Sequence, residues 1–186
     1  MLKLKSLPLV TASIVLTMTL AGCDTNDVQQ FNPNYLGGQQ LKQSLTKQIA
    51  LGTFSMSNSA DDKNSLTCRL AAHIALPNNT TYSQYIKQAF AIQLGSIGRY
   101  NTTGPHTLSA SIQSLDFDSV EGTWTLVGNM QVDANPTVNI NSLTRFRTSY
   151  DGVDACRNVT DAFQTAVQDF ISKTLENPTL QKELNQ

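Results

Sequence analysis

The sequence predicts an α+β domain in which two amphipathic helices pack on one face of a mostly antiparallel sheet of four to five strands. Three observations support this prediction. Apolar residues alternate along several stretches, they recur at helical spacing in two others, and the elements follow in the order β-β-α-β-β-β-α. A sheet with one apolar face is readily covered by helices packed on that face.

The first half of the domain contains two predicted strands and one predicted helix. Residues 49–56 are predicted to form the first strand. Residues 66–76 are predicted to form the second, because apolar and more polar side chains alternate along them. Residues 81–84 (TYSQ) resemble a capping box, and apolar residues follow them at helical spacing. The helix is therefore predicted to start there and to end at Gly95 and Gly98.

Three strands and a second helix make up the other half. Residues 107–117 alternate and then change phase, which indicates a β-bulge. Residues 123–132 and 137–150 complete an antiparallel meander, with short polar turns between the strands. Residues 156–175 carry the clearest helical pattern of the chain, and Pro178 follows the end of this pattern.

The composition is that of an ordinary folded protein. The chain has 186 residues, of which 40% are hydrophobic and 15% are charged, and its formal net charge is −1. The low fraction of charged residues argues against a disordered chain. It also argues against nucleic acid as a partner, because binding to phosphates requires a basic surface.

The first 23 residues have the order of an export signal. Lys3 and Lys5 precede an uncharged apolar stretch, residues 7–20, which is shorter than the roughly 20 residues that span a bilayer as a helix. This stretch ends in residues 20–23 (LAGC), which resemble a bacterial lipobox. In signals of that class the cysteine receives a diacylglycerol, the chain is cut before it, and the new amine is usually acylated. The alternative is a plain signal peptide with an incidental cysteine.

The lipobox resemblance implies a division of the chain. Residues 1–22 are the signal peptide, Cys23 is the lipidation site, and residues 23–48 contain the lipidated cysteine and a polar linker. Residues 49–178 form a single α+β domain, and residues 179–186 form a polar tail. Two or three acyl chains on one cysteine would anchor the protein firmly, because each buried CH₂ contributes about 0.8 kcal/mol.

The residue after the lipidated cysteine bears on localisation. In enteric bacteria, an aspartate such as Asp24 at this position resembles a signal for retention in the inner membrane, whereas other genera use the position differently. We therefore expect a lipid-anchored protein on the periplasmic side of a bacterial membrane. Asp24 favours the inner membrane and leaves the outer membrane open.

Two cysteines remain once Cys23 is assigned to lipid. Cys68 lies in the second predicted strand, and Cys156 lies at the start of the last predicted helix. An oxidising compartment favours a disulfide between them. The alternative is two reduced thiols in the core. Redox catalysis is not indicated, because the chain has no Cys-x-x-Cys sequence that would lower the pKa of a thiol.

Few residues have the spacing that catalysis or metal binding requires. His73 and His106 are not part of an HExxH or similar pattern, so we expect neither a metal nor a cofactor. Asp116 and Asp118 flank Phe117 and could form an acid–base pair or bind a cation. A solvated strand end is the simpler interpretation of these two carboxylates.

Arginines form the second candidate site. Arg145 and Arg147 are expected on one strand face, with Arg69 in the neighbourhood. Such a cluster could contact an anionic lipid head group or the carboxylates of a partner by charge-assisted hydrogen bonds. A plain solvated strand face is the alternative.

Several stretches of the body follow a common pattern of elements: residues 49–52 (IALG), 85–90 (YIKQAF), 94–100, 122–126 (GTWTL) and 162–175. On these stretches, the body is similar to small envelope lipoproteins of bacteria. These include the lipopolysaccharide-assembly lipoprotein of the outer membrane, auxiliary lipoproteins of ABC-type lipid transporters, and penicillin-binding-protein activators. The resemblance spans about residues 49–178, and the paired cysteines depart from it.

The resemblance implies an accessory or assembly role in the envelope rather than a particular reaction, because a fold alone does not define a task. We expect a non-enzymatic module that binds an envelope protein or a lipid. A membrane-tethered hydrolase acting on an envelope glycan or peptide is the alternative from another class. A purely structural surface lipoprotein is the third.

Overall fold

The computed structural model describes residues 25–69 and 72–186 and confirms the α+β class. These residues form a four-stranded sheet, a three-stranded sheet and four α-helices. The strands are β1 (Thr25–Asp27), β2 (Ile49–Met56), β3 (Ser65–Cys68), β4 (Ala72–Ala75), β5 (His106–Asp118), β6 (Thr123–Val132) and β7 (Val138–Arg145). The helices are α1 (Tyr35–Ser44), α2 (Tyr82–Ser96), α3 (Gly152–Leu175) and α4 (Pro178–Leu184).

The four-stranded sheet has the order β2-β5-β6-β7. Strands β5, β6 and β7 form the predicted antiparallel meander, whereas β2 runs parallel to β5, with Ile49 opposite His106. The expected antiparallel sheet is therefore only partly correct. The pair is parallel because the connection from β2 to β5 contains the helix α2. This crossover brings the chain back to the end of the sheet at which β2 begins, so β5 runs in the same direction.

The long strand predicted at residues 66–76 is wrong, because this stretch forms two short strands. β3 and β4 pair in antiparallel fashion with Cys68 opposite Ala72, and Arg69 has a left-handed backbone with φ of 46°. Three residues separate Cys68 from Ala72, so even-numbered side chains stay on one face of both strands. Alternation of apolar residues alone therefore cannot distinguish this hairpin from one strand.

The residues expected to form a polar linker pack against the domain from Thr25 onward. β1 joins β4 as a parallel third strand, so that the order of the small sheet is β1-β4-β3. Val28 and Phe31 are buried after it, and α1 buries Leu41. Few apolar residues occur in this segment, but these three belong to the buried core of the domain.

The helices and the last strand also differ from the sequence prediction in length. β7 ends at Arg145 rather than residue 150, and α3 begins at Gly152, where the Asp151 carboxylate accepts hydrogen bonds from two backbone N–H groups. Residues 179–186, expected to be a polar tail, largely form α4, which buries Leu180 and Leu184.

The core lies between the four-stranded sheet and the helices α2 and α3. Trp124 is fully buried at its centre, with its ring centroid 5.0 Å from that of Phe163. The indole N–H donates to the backbone oxygen of Val159 at 2.9 Å. This acceptor is needed because a buried donor without a partner costs about 1–3 kcal/mol. The predicted helix α2 is confirmed, and the Gln84 side chain accepts from the Thr81 N–H at 3.0 Å.

Gly128 tests how closely α3 packs on the sheet. A Cβ atom at Gly128 would lie 2.9 Å from Cζ of Phe170, whereas a Cβ atom at Gly95 on α2 would meet nothing within 4 Å. We expect Gly128→Ala to lower the free energy of unfolding by about 1–3 kcal/mol through overpacking. The matched control Gly95→Ala should raise it by up to about 1 kcal/mol, because alanine favours a helix. Urea denaturation measures both values, and an unchanged stability of Gly128→Ala would contradict this packing.

Candidate functional site

The disulfide predicted from the cysteine count is present. It joins Cys68, the last residue of β3, to Cys156 in the first turns of α3, with the Cα atoms 5.8 Å apart and a sequence separation of 88. Both side chains are buried. The bond therefore fixes the small sheet to the start of the helix that covers the large sheet.

Arg69 extends this covalent link with hydrogen bonds to two other loops. Its guanidinium donates to the backbone oxygens of Ser119 (3.0 Å), Ser149 (3.2 Å) and Tyr150 (3.2 Å), and to the Ser119 hydroxyl (3.1 Å). An arginine guanidinium is planar and carries five N–H donors, so it can bind several acceptors at once. The side chain expected to contact a partner is thus engaged within the fold. We call this end of the domain, where residues 69, 118–122 and 146–153 meet, the loop end.

Three large apolar side chains are exposed at the loop end. Val120 is 73% exposed, Val153 is 49% exposed, and Tyr150 is fully exposed. A groove of about 240 Å³ lies between Val120 and Tyr150, with Arg69 among its lining residues. Apolar side chains exposed together mark interaction surfaces more often than isolated ones do. We call Val120, Tyr150 and Val153 the apolar tip.

The other two predicted arginines lie beside the apolar tip. Arg145 is opposite Thr123 at the start of β6, and the N–H of Phe146 donates to the oxygen of Gly122 at 2.8 Å. Arg145 and Arg147 are both exposed, whereas Phe146 between them packs against the core. Three carboxylates accompany these cations at the loop end: Asp118, Glu121 and Asp151.

The two aspartates predicted as a possible pair have different surroundings. Asp116 lines a cleft, whereas Asp118 accepts hydrogen bonds from the N–H groups of Glu121 (2.8 Å) and Val120 (2.7 Å) in the β5–β6 turn. These two bonds, and then the positive charge of Arg69, hold the pKa of Asp118 below its ordinary value. Asp118 therefore stabilises the turn that carries Val120.

The cleft that contains Asp116 lies between the two sheets and has a volume of about 310 Å³, at the lower end of the usual range for ligand pockets. It adjoins the predicted β-bulge, which is confirmed by a register shift in β5 between Ile112 and Ser114. Its apolar side is formed by Met56, Leu66, Tyr82 and Leu115, and its charged groups are Asp61, Lys63 and Asp116.

Two tyrosines near the start of α2 are buried: Tyr82 lines the cleft, whereas Tyr85 lines a separate groove. Burial raises the pKa of Tyr82 and of Tyr85 well above the ordinary value. The Tyr85 hydroxyl donates to the backbone oxygen of Gln29 at 3.1 Å, and the Tyr82 hydroxyl has no hydrogen-bond partner among the described residues. Both phenols therefore stay protonated at neutral pH.

The face of the four-stranded sheet opposite α2 and α3 forms a separate surface, which we call the open face. A shallow groove of about 190 Å³ crosses it. Besides Ala110, the groove is lined by hydroxyl and amide side chains: Thr53, Ser55, Ser109, Ser111, Asn129, Gln131 and Thr137. The Asn139 amide donates to the Asn129 side chain at 2.9 Å and so orders the neighbouring edge. These groups can bind a ligand or partner through neutral hydrogen bonds.

The remaining sequence expectations concern the anchor and metals. Cys23 and Asp24 lie outside the described residues. Within residues 25–69 and 72–186, no helix has the length and apolar character needed to cross a membrane. The same residues contain no group of three potential metal ligands. His106 contacts the Asp133 carboxylate at 3.0 Å, and His73 lies elsewhere, in β4.

Sequence reasoning missed the cleft, the open face and the apolar tip. The open face has a sequence signal, because serine, threonine, asparagine and glutamine occupy alternate positions in β5 and β6. The apolar tip has none, because its residues become neighbours only when the loops meet. No family model matches the chain, and neither a curated protein nor a solved structure is significantly similar to it.

Loss of the disulfide should strongly destabilise the domain. We expect the double variant Cys68→Ala/Cys156→Ala to lose roughly 4–5 kcal/mol of unfolding free energy, because a long loop becomes open in the unfolded chain. Chemical denaturation of the wild type with and without reductant is the matched comparison, and the reduced protein should behave as the variant does. Free thiols at Cys68 and Cys156 in the purified, unreduced protein would contradict the bond.

The turn at Asp118 should weaken in acid. Because its folded-state pKa is lowered, the carboxylate contributes its full stabilisation above the ordinary value of 3.8 and loses it as the pH falls through the lower folded-state pKa. We expect Asp118→Asn, which keeps an oxygen acceptor, to show a flatter loss of stability below pH 4. Unfolding measured from pH 2 to 6 tests this, and identical profiles of variant and wild type would contradict it.

Proposed function

We propose that the protein is a membrane-anchored lipoprotein of the bacterial envelope that faces the periplasm. It acts as a non-enzymatic accessory module by binding another envelope component. The open face is the observation that carries this proposal, because it offers a broad, ordered surface of neutral hydrogen-bonding groups. Residues of three strands line its groove, so the surface is held by the main sheet rather than by loops.

The proposed anchor rests on residues 20–23, which resemble a lipobox, and the proposed compartment is supported by the disulfide. Disulfides persist in oxidising compartments such as the periplasm and are rare in the bacterial cytosol. The bond between Cys68 and Cys156 therefore fits an exported protein.

Anchoring also explains how a modest binding surface would suffice. A lipid tether confines the domain to a thin layer at the membrane and raises its effective concentration toward a partner in the same layer. Weak contacts made by hydroxyl and amide groups then give useful occupancy. Binding need not depend on a deep pocket or on buried charges.

A membrane-tethered hydrolase is the second candidate, and the cleft is the observation that favours it. Asp61 and Asp116 both line this cleft. Hydrolysis of a glycoside uses two carboxyl groups, one as acid and one as base or nucleophile. The binding function is preferred because the groove of the open face is lined almost entirely by neutral hydroxyl and amide side chains, whereas one side of the cleft is apolar.

The mass of the intact protein, purified from bacterial membranes, tests the anchor. We expect the mass of residues 23–186 plus a diacylglycerol and an acyl chain, which is the product of lipobox processing. The matched variant Cys23→Ala should keep the signal peptide and carry no lipid. An unmodified Cys23 in the wild type would overturn the anchor.

Site-specific photo-crosslinking in the same cells tests the binding role. A photoreactive residue at Ser111 on the open face should give a discrete crosslinked product, and one at the exposed Gln88 of α2 should not. Equal products at both positions would contradict binding through the open face. Cleavage of purified cell-wall material that is lost in Asp116→Asn would instead establish the hydrolase.

A further inference from the structure

We infer that the loop end of the domain rests on the lipid bilayer, with the apolar tip at the level of the head groups. This inference rests on the proposed function, because it takes Cys23 as the anchor. It adds an orientation and a second membrane contact. The occupant of the apolar tip is thus the bilayer surface rather than another protein.

The first argument is the reach of the chain. Cys23 lies two positions before Thr25 in the sequence. The Cα atoms of these two residues can therefore be at most about 7 Å apart. Thr25 lies opposite His73, the second residue of β4, and the two strands run parallel. β1 therefore starts at the end of the small sheet where Arg69 and the disulfide lie. An anchor on Cys23 brings that end to the membrane.

The second argument is the course of the N-terminal segment along α3. Asp27 and Gln29 line a groove together with Thr160 and Asp161 of α3. Farther along, the Gln168 side chain donates to the backbone oxygen of Asn32 at 2.7 Å. The N-terminal segment and α3 thus run in the same direction, away from the loop end. Followed backward, the N-terminal segment leads toward the first turns of α3, where Val153 lies.

The third argument is the chemistry of the exposed residues. Tyr150 combines an apolar ring with a hydroxyl, which suits the boundary between acyl chains and water. Val120 and Val153 add aliphatic surface, and Arg145 and Arg147 can donate to lipid phosphates. The three carboxylates of the loop end offset the positive charge of the three arginines in or beside it. Contact therefore depends on apolar burial and does not require an anionic lipid.

The fourth argument is rigidity. Arg69 binds the loops of both Val120 and Tyr150, and the Thr148 hydroxyl donates to the oxygen of Ser119. The disulfide fixes Arg69 next to α3. The apolar tip is therefore ordered before contact, and binding to the bilayer loses little conformational entropy. A surface built by internal cross-links in this way is suited to docking.

Hydroxyl-radical footprinting of the tethered protein tests this orientation. Residues 23–186 contain every described contact, and Cys23 is their only thiol outside the disulfide. The thiol of Cys23 is coupled to a maleimide lipid in phosphatidylcholine vesicles. In the untethered reference protein, the same thiol is chemically blocked. We expect oxidation of Tyr150 to fall at least about fivefold on tethering, because the membrane interface excludes water from the ring.

Tyr35 is the internal control. It is 66% exposed and begins α1 at the opposite end of the domain, where Gly38 lies close to Ile97. Its oxidation should be unchanged by tethering. Equal oxidation of Tyr150 in the tethered and untethered proteins would overturn the inference, as would protection of Tyr35 in place of Tyr150.

Charge placed in the apolar tip supplies a matched variant. The double variant Val120→Asp/Val153→Asp keeps Tyr150 as the reporter and should restore its oxidation to the untethered level. Leu36→Asp, at an 89% exposed position of α1, should leave the protection intact. Protection that persists in the double variant would show that the apolar tip does not make the contact.

The coupling also separates this inference from the proposed function. The lipid is attached chemically, so the footprint reports the orientation whether or not cells lipidate Cys23. An unmodified Cys23 in cells together with protected Tyr150 in vesicles would refute the anchor alone. A lipidated Cys23 with unprotected Tyr150 would refute the orientation alone.

Discussion

The architecture depends on the cross-link between Cys68 and Cys156 and on the hydrogen bonds of Arg69 beside it. The sheet of β1, β4 and β3 has strands of three or four residues, which would be marginal as an isolated unit. The disulfide joins this sheet to α3, and the guanidinium joins it to the loops before α3 and between β5 and β6. One end of the domain is thereby held as a single rigid piece.

This constraint separates the two surfaces to which we assign roles. Helices α2 and α3 cover one face of the main sheet, and the disulfide holds the small sheet against α3. The opposite face is left available, and its groups line a groove of hydroxyls and amides. The loop end lies at the termini of β5 and β7 instead of on either face. Contact with a membrane at this end therefore leaves the open face accessible from the side.

The sequence predicts the main sheet and its two covering helices because burial imposes a regular period on them. β5, β6, α2 and α3 follow that period, and a change in its phase along β5 indicates the bulge. The period fails at residues 66–76, where a three-residue connection preserves the alternation through a hairpin. The period of apolar residues also carries no information on which strands are neighbours or on their direction. The parallel β2–β5 pair was therefore not predicted. Of the candidate sites, the disulfide followed from cysteine number, whereas the open face and apolar tip depend on tertiary contacts.

The two proposed contacts favour one another energetically. The proposed lipid on Cys23 alone would limit the distance of the domain from the bilayer but would leave the domain free to rotate. A second contact through the apolar tip removes most of that rotational freedom, and its entropic cost falls because the tip is already ordered. The open face then points along the membrane plane rather than in all directions, which raises its effective concentration toward a partner held in the same membrane. Under these two proposals, rigidity at Arg69 and the disulfide is the structural requirement for binding at the open face.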